Sequence, residues 1–119
     1  MTAFKLQYTF EERKKESDRV RTKYPDRIPV ICERANKSSM EIMEKVKFLI
    51  PYDLTVGQFM YVIRKRLKLP SEKAIFLFVN GSFKQNSAHL SSVYEDEHDN
   101  DGFLYVVYSD ENVFGSYDT

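Results

Sequence analysis

Apolar positions along this chain fall into a short series of distinct patterns. From Phe10 to Lys23 they are sparse, and opposite charges recur three and four residues apart (Glu11–Lys15, Glu12–Lys15, Glu16–Arg19). That spacing predicts an exposed helix lying over the body of the protein, anchored by Phe10, Val20 and the stems of its long side chains. Thr9, with Glu12 three residues on, predicts a capping box. Tyr24-Pro25 ends the helix, because the residue before a proline avoids helical backbone. A short helical turn over 4–8 precedes it. Ile28-Pro-Val-Ile-Cys-Glu33 and Lys47-Phe-Leu-Ile50 are β-branched or aromatic runs bounded by polar and turn residues, and they predict two strands. Pro29 belongs near the start of the first, at a position that needs no N–H donor. The polar stretch 34–46 between them is a long connection with one helical turn around Met40–Met43.

Val56, Phe59, Met60, Ile63 and Leu67 then recur at helical spacing and give one core-facing stripe on a helix from about Thr55 to Leu67, capped by Asp53. Ala74–Val79 is a continuous apolar run followed by Asn80-Gly81, which predicts a buried strand and a tight turn. Ser87–Tyr94 reads as a short helix with Leu90 and Val93 inward. Phe103–Tyr108 is almost wholly apolar and so belongs at the centre of a sheet. Two strands, a crossover helix, a strand, a short helix and a central last strand describe an α+β fold, the β-grasp of ubiquitin, with a four-stranded mixed sheet and an N-terminal helical extension.

Composition agrees with one folded unit. The chain has 119 residues, 42% of them apolar and 30% charged, with only 4 Gly and 4 Pro, which excludes collagen-like, low-complexity and disordered classes. The longest apolar runs are six residues, against the roughly 20 that a membrane-spanning helix needs. The first ten residues lack the apolar stretch of a signal peptide. A lone cysteine, Cys32, suits a reducing cytosolic compartment. Net charge is zero, so bulk attraction to nucleic acid is not expected, but the charge is unevenly placed. Residues 1–68 hold 16 Lys and Arg against 9 Asp and Glu, whereas residues 69–119 hold 2 against 9. The basic half would draw acidic peptides, anionic lipid or a tubulin-like surface by its sign.

No enzymatic constellation emerges. Cys32 sits among β-branched strand residues, where a thiol is usually inert packing, and His89 and His98 are the only histidines. Two separated histidines carry no metal-ligand spacing. Glu97–Gly102 resembles the opening of an EF-hand loop, but Tyr108 stands where the bidentate Glu is required, and a strand follows in place of a helix. Gly57 and Gly81 are isolated, so no phosphate-cradling loop forms. The basic helix has one Phe and one Tyr, at its ends, too few for stacking bases. The informative feature is the polar tail 110–119, expected to be mobile. In it Gly115 follows Val113-Phe114 and precedes Ser-Tyr-Asp-Thr. Enzymes that activate a C-terminal carboxylate and pass it to a thiol favour an unbranched end, and glycine has no Cβ.

Phe10-Glu-Glu-Arg-Lys-Lys-Glu-Ser, Tyr24-Pro-Asp-Arg-Ile-Pro-Val-Ile-Cys-Glu, Asp53-Leu-Thr-Val-Gly-Gln-Phe-Met-Tyr-Val-Ile-Arg-Lys-Arg, Phe76-Leu-Phe-Val-Asn and Asp101-Gly-Phe-Leu-Tyr-Val-Val-Tyr-Ser-Asp-Glu-Asn-Val-Phe-Gly115 resemble the autophagy-related protein 8 family, whose animal members are GABARAP and the microtubule-associated light-chain-3 proteins. The resemblance covers nearly all of Phe4 to Gly115. It implies a ubiquitin-like modifier without cofactor, organised as one domain over 1–115: a helical extension (1–24), a grasp core (25–109) and a tail (110–115). Residues 116–119 would be a propeptide cut away between Gly115 and Ser116 by a dedicated cysteine protease. Activating and conjugating enzymes would then carry Gly115 as a thioester and join it to phosphatidylethanolamine. The protein would be cytoplasmic until conjugated and on the autophagosome membrane afterwards.

The resemblance also implies capture of cargo receptors and adaptors that carry a short acidic, aromatic-x-x-aliphatic motif, added as a strand beside Lys47–Ile50. By matched position the aromatic pocket is Glu16, Val20, Pro29, Ile31, Lys47, Leu49 and Phe103. The aliphatic pocket is Phe48, Ile50, Pro51, Leu54, Phe59 and Val62. Arg27 and Lys47 meet the acidic flank. Phe48, on an edge strand and flanked by Lys47, is expected to serve binding more than burial. Tubulin is a further partner of this kind. The chain departs from the family pattern at Ser82–Asn86, usually proline-containing, and in the extension after Gly115. The rival to this picture is a permanently soluble β-grasp adaptor that binds peptides or tubulin without lipid.

Overall fold

The computed structural model describes residues 2–111. Alternation along β1 (Arg27–Arg34) sorts its side chains onto two faces of a sheet, and both faces are covered. Ile28, Val30 and Cys32 join a core with Phe48 and Ile50 of β2 (Lys47–Pro51), beneath helix α3 (Val56–Leu67). Pro29 and Ile31 point the other way and are buried against α2 (Phe10–Lys23). A strand with both faces buried reads as a near-continuous apolar run, which is what Ile28–Cys32 is. β1 pairs antiparallel with β2, Val30 opposite Phe48, and parallel with β5 (Leu104–Ser109), Val30 opposite Leu104. The ladder to β5 begins at Val30, so Pro29 withdraws no donor from it.

β5 occupies the centre, as its apolar run predicts, in the order β2–β1–β5–β3–β4. The sheet has five strands and not the four expected. β3 (Phe76–Val79) turns through Asn80 and Gly81, both at positive φ (52° and 77°), into β4 (Ser82–Phe83). At two residues β4 is too short for any period to register in the sequence.

Three further expectations are corrected. Thr55, not Asp53, caps α3: its hydroxyl accepts from the Gln58 N–H while the Gln58 side chain accepts from Thr55 N–H. The last helix, α4, spans Leu90–Glu97 and not Ser87–Tyr94. Residues 86–88 form a turn, with Ala88 N–H donating to the Gln85 carbonyl (3.1 Å), and His89 is held extended beside Thr55, because Val56 N–H donates to the Ala88 carbonyl (2.8 Å) and Leu90 N–H to that of Leu54 (2.9 Å). No helical turn forms around Met40–Met43. That connection is held by side chains: the Tyr108 hydroxyl donates to the Glu41 carbonyl (2.6 Å) and accepts from Met43 N–H (3.2 Å), while Met40 and Met43 enter the core. Asp110, assigned to the tail, accepts from the hydroxyls of Ser38 and Ser39 (3.1 and 3.2 Å).

The extension has two helices, α1 (Ala3–Gln7) and α2, with the predicted Thr9–Glu12 capping box in place. Arg13 fastens α2 to the sheet. Its Nε donates to Asp101 Oδ2 (2.8 Å) and one Nη to the Tyr8 carbonyl (2.9 Å). Asp101 is fully buried, and it also accepts from Phe103 N–H (2.9 Å) and the Tyr105 hydroxyl. Beside it Ser17 donates to the Asp101 carbonyl, and Gly102, at φ +90°, leaves that hydroxyl room which any Cβ would take. Removing one partner of such a buried pair leaves an uncompensated charge. Arg13→Met is therefore expected to cost about 3 kcal/mol in urea unfolding. A loss under about 1 kcal/mol would mean that α2 is held by other contacts.

Candidate functional site

β2 lies at one edge of the sheet, with β1 on one side and no strand on the other among the described residues. Its outer N–H and C=O groups are a template for another strand. Lys47 and Leu49, half-buried, alternate with Phe48 and Ile50, which are buried. The residues singled out in the sequence divide between the two faces accordingly. On the α2 face lie Glu16, Val20, Pro29, Ile31, Lys47, Leu49 and Phe103. Phe103 is buried and meets the Phe4 ring edge-on, with centroids 5.4 Å apart. On the α3 face lie Phe48, Ile50, Leu54, Phe59 and Val62, with Phe48 and Phe59 edge-to-face at 5.6 Å. Pro51 is exposed at the strand end and takes the Lys47 and Leu49 alternation instead of the Phe48 and Ile50 one.

Phe48 is 4% exposed, contrary to the expectation of an open binding side chain. It shares with Phe59, Ile31 and Phe103 the position of a wall seen from behind. The accessible side chains at the edge are Leu49, Leu54, Val62, Lys47, Glu16 and Arg27. Two cations that the sequence did not flag flank the α3 side: Arg66 lies 5.5 Å and Lys45 6.0 Å from the Phe48 ring centroid. Arg66 falls outside the apolar stripe of α3, and only its side-chain reach brings it there. Arg27 stacks on Tyr24 at 5.5 Å.

Lys47 donates to Glu16 Oε2 at 2.6 Å, tying β2 to α2, and Arg19 forks onto the same carboxylate at 2.9 and 3.0 Å. The Arg19 fork and the Lys47 ammonium hold the Glu16 carboxyl at about 2, against the usual 4.5. The cluster is arranged to present positive charge beside a vacant edge, with Glu16 as its internal anion. Burial pushes the Cys32 thiol far up, and the side chain is fully enclosed, so it supplies no nucleophile. Among the described residues no group of His, Cys, Asp and Glu could hold a metal. Gly115 and the Gly115–Ser116 bond lie outside the described residues.

A family model described as "Autophagy protein Atg8 ubiquitin like" matches residues 12–115. Autophagy-related protein 8 of Mycosarcoma maydis is 57% identical over 114 residues, covering 96% of this chain and 97% of its own. That of Kluyveromyces lactis is 58% identical over 114 residues, covering 96% and 92%. Among solved structures, Trypanosoma brucei ATG8 superposes with a TM-score of 0.89 at 42% identity, covering 92% of this chain and 94% of its own. Plasmodium falciparum Atg8 in complex with a Plasmodium falciparum Atg3 peptide gives 0.84 at 38%, covering 93% and 98%.

Glu16 is ionised in the folded protein well below the point at which it protonates in the unfolded chain. Its contribution is complete above about pH 4.5 and is lost as pH falls from there through about 2. Glu16→Gln should flatten the acid limb of a stability–pH curve over that window, by no more than about 1 kcal/mol because the partners are solvated. An identical curve for both proteins would rule out the clamp. Cys32 should remain unlabelled by a disulfide reagent in the native protein and react on unfolding. Prompt native labelling would show that the site opens.

Proposed function

This chain belongs to the Atg8 family of autophagy proteins, ubiquitin-like modifiers and not enzymes, and from that premise we propose that Gly115 is joined to phosphatidylethanolamine and that the anchored protein gathers partners along the β2 edge. A protease would free the Gly115 carboxylate, activating and conjugating enzymes would carry it as a thioester, and attack by the lipid amine would form the amide. The similarity to Plasmodium falciparum Atg8, solved with its Atg3 peptide, supports an Atg3-type conjugating enzyme among the partners. No helix among the described residues is long and apolar enough to cross a membrane. In this proposal two acyl chains supply the attachment, at roughly 0.8 kcal/mol per buried methylene, where one chain would be marginal. The protein is then cytoplasmic before conjugation and on the autophagosome membrane after it.

One observation carries the peptide-binding half: an unpaired strand edge whose side chains alternate between two helix-covered faces. In an added strand, residues three apart point to opposite faces, since the period is two. An aromatic-x-x-aliphatic motif thus sends its first side chain toward Glu16, Val20 and Leu49 and its second toward Leu54, Phe59 and Val62. Main-chain hydrogen bonds would supply affinity, and the two faces specificity. Arg27 and Lys47 stand where acidic residues preceding the aromatic would pass. Cargo receptors and adaptors with such motifs, and an acidic tubulin surface, fit the same chemistry.

An acidic-flanked aromatic-x-x-aliphatic peptide should bind with a Kd on the order of micromolar, given so small an interface. Arg27→Glu combined with Lys47→Glu should weaken it at least about tenfold, and more at low salt. Undiminished affinity in the double variant would remove this edge from the proposal. Gly115→Ala should leave the protein entirely in the soluble fraction of starved cells while peptide binding persists. Membrane recovery that survives the substitution would favour the unlipidated adaptor.

A further inference from the structure

A second concavity, which shares no residue with either face set of β2, lies where α1, the end of β1 and the 34–46 connection meet. Its volume is about 380 Å³, and Ala3, Ile42, Met43 and Val46 are among its lining residues. That volume is at the small end for ligand pockets and suits one large side chain. Ile42, 69% exposed, gives it an apolar rim. Arg34 also borders the space, its Nη1 committed to the Met40 carbonyl at 2.8 Å. A guanidinium fixed in this way discourages a cationic occupant and offers its flat face to an aromatic ring. Two further lining residues, Val107 and Tyr108, belong to β5, so the chain leaves the sheet beside the concavity. Asp110 then accepts from the hydroxyls of Ser38 and Ser39 at 3.1 and 3.2 Å. Those bonds tie the exit to the same connection that supplies Ile42, Met43 and Val46. Phe114 is the first aromatic residue after that tie, four positions beyond Asp110 and so within a reach of about 14 Å.

We propose that this concavity receives the Phe114 side chain of the protein's own tail, its ring against Ile42, Met43 and Val46 and beside the Arg34 guanidinium. A tether of four residues gives the ring a high local concentration, so a contact too weak to hold a free ligand suffices. A side chain brought by another protein would have to displace it. The contact keeps the residue before Gly115 on the body of the protein, and an enzyme acting at the Gly115–Ser116 bond must first draw Phe114 out. That consequence, though not the contact itself, rests on the reading of Gly115 as the conjugated residue.

NMR of the full chain tests the contact directly. Nuclear Overhauser peaks should link the Phe114 ring to methyl groups of Ala3, Ile42, Met43 and Val46. Their absence, or peaks from Phe114 to another surface, overturns the proposal, and peaks from Tyr117 in its place overturn the assignment to Phe114. Chymotrypsin is an independent probe, because it must take Phe114 into its own pocket to cut the bond that follows. That cut, followed by mass, should be at least about tenfold slower in the full chain than in a peptide of residues 106–119. It should be about threefold faster in Ile42→Ser, at the exposed rim, than in the parent protein. Equal rates in chain and peptide, or in parent and variant, overturn the proposal. Should Ile42→Ser lose its native spectrum, Phe114→Ala takes its place: displaced amide resonances at Ile42, Met43 and Val46 support the contact, and unmoved ones overturn it. None of these readouts involves conjugation, so their failure leaves the reading of Gly115 standing, and a failure of lipid attachment leaves the contact standing.

Discussion

The two-residue period of a strand, imposed on an edge whose two faces are both roofed by helices, is the constraint from which the rest of this structure follows. A sheet with one solvated face would offer an added strand a single row of contacts. Here β2 separates Lys47 and Leu49 from Phe48 and Ile50, with α2 above one pair and α3 below the other. Each outward step along the edge therefore changes environment, from a charged and aromatic face to an aliphatic one. Pro29 and Ile31, directly inside the edge and on the α2 side, give that face a fixed floor.

The two roofs are attached by different physics. α3 carries an apolar stripe, Val56, Phe59, Ile63 and Leu67, and is held by burial. α2 has little to bury beyond Val20, and polar residues Arg13 and Ser17 are its other buried positions. It is fixed by the Arg13–Asp101 pair and by Ser17 against the Asp101 carbonyl, with Gly102 yielding the space. Burial of that charge is tolerable because Asp101 accepts three donors at once, from Arg13, Phe103 and Tyr105. Those contacts pull together α2 and the start of β5, elements 80 and more residues apart in sequence.

Much of the fold was legible because period and punctuation agree. Ile28–Cys32 and the final apolar strand, the stripe of α3, the Thr9 capping box and the Asn80-Gly81 turn each announce themselves locally, and each is present. What escaped depends on distant partners. α4 begins late because the bonds from Val56 and to Leu54 hold His89 extended beside Thr55, and no feature of Ser87–His89 alone says so. The 34–46 connection is organised by Tyr108, roughly seventy positions downstream. At the candidate site the residue types were readable by resemblance, whereas accessibility was not. Phe48 turned inward because its partner Phe59 lies on α3, and Arg66 and Lys45 reached the edge by length alone.

An unpaired edge invites its own kind as readily as a foreign strand, and proteins with open sheets must discourage that. Lys45 and Lys47 sit along this one, with Arg66 and Arg27 close by. Two copies meeting edge to edge would crowd like charges on both sides of the new ladder, while an anionic segment would relieve the same charges. The basicity of the rim thus acts as a filter on what can pair there: it disfavours a second copy at β2 and favours a segment of opposite sign.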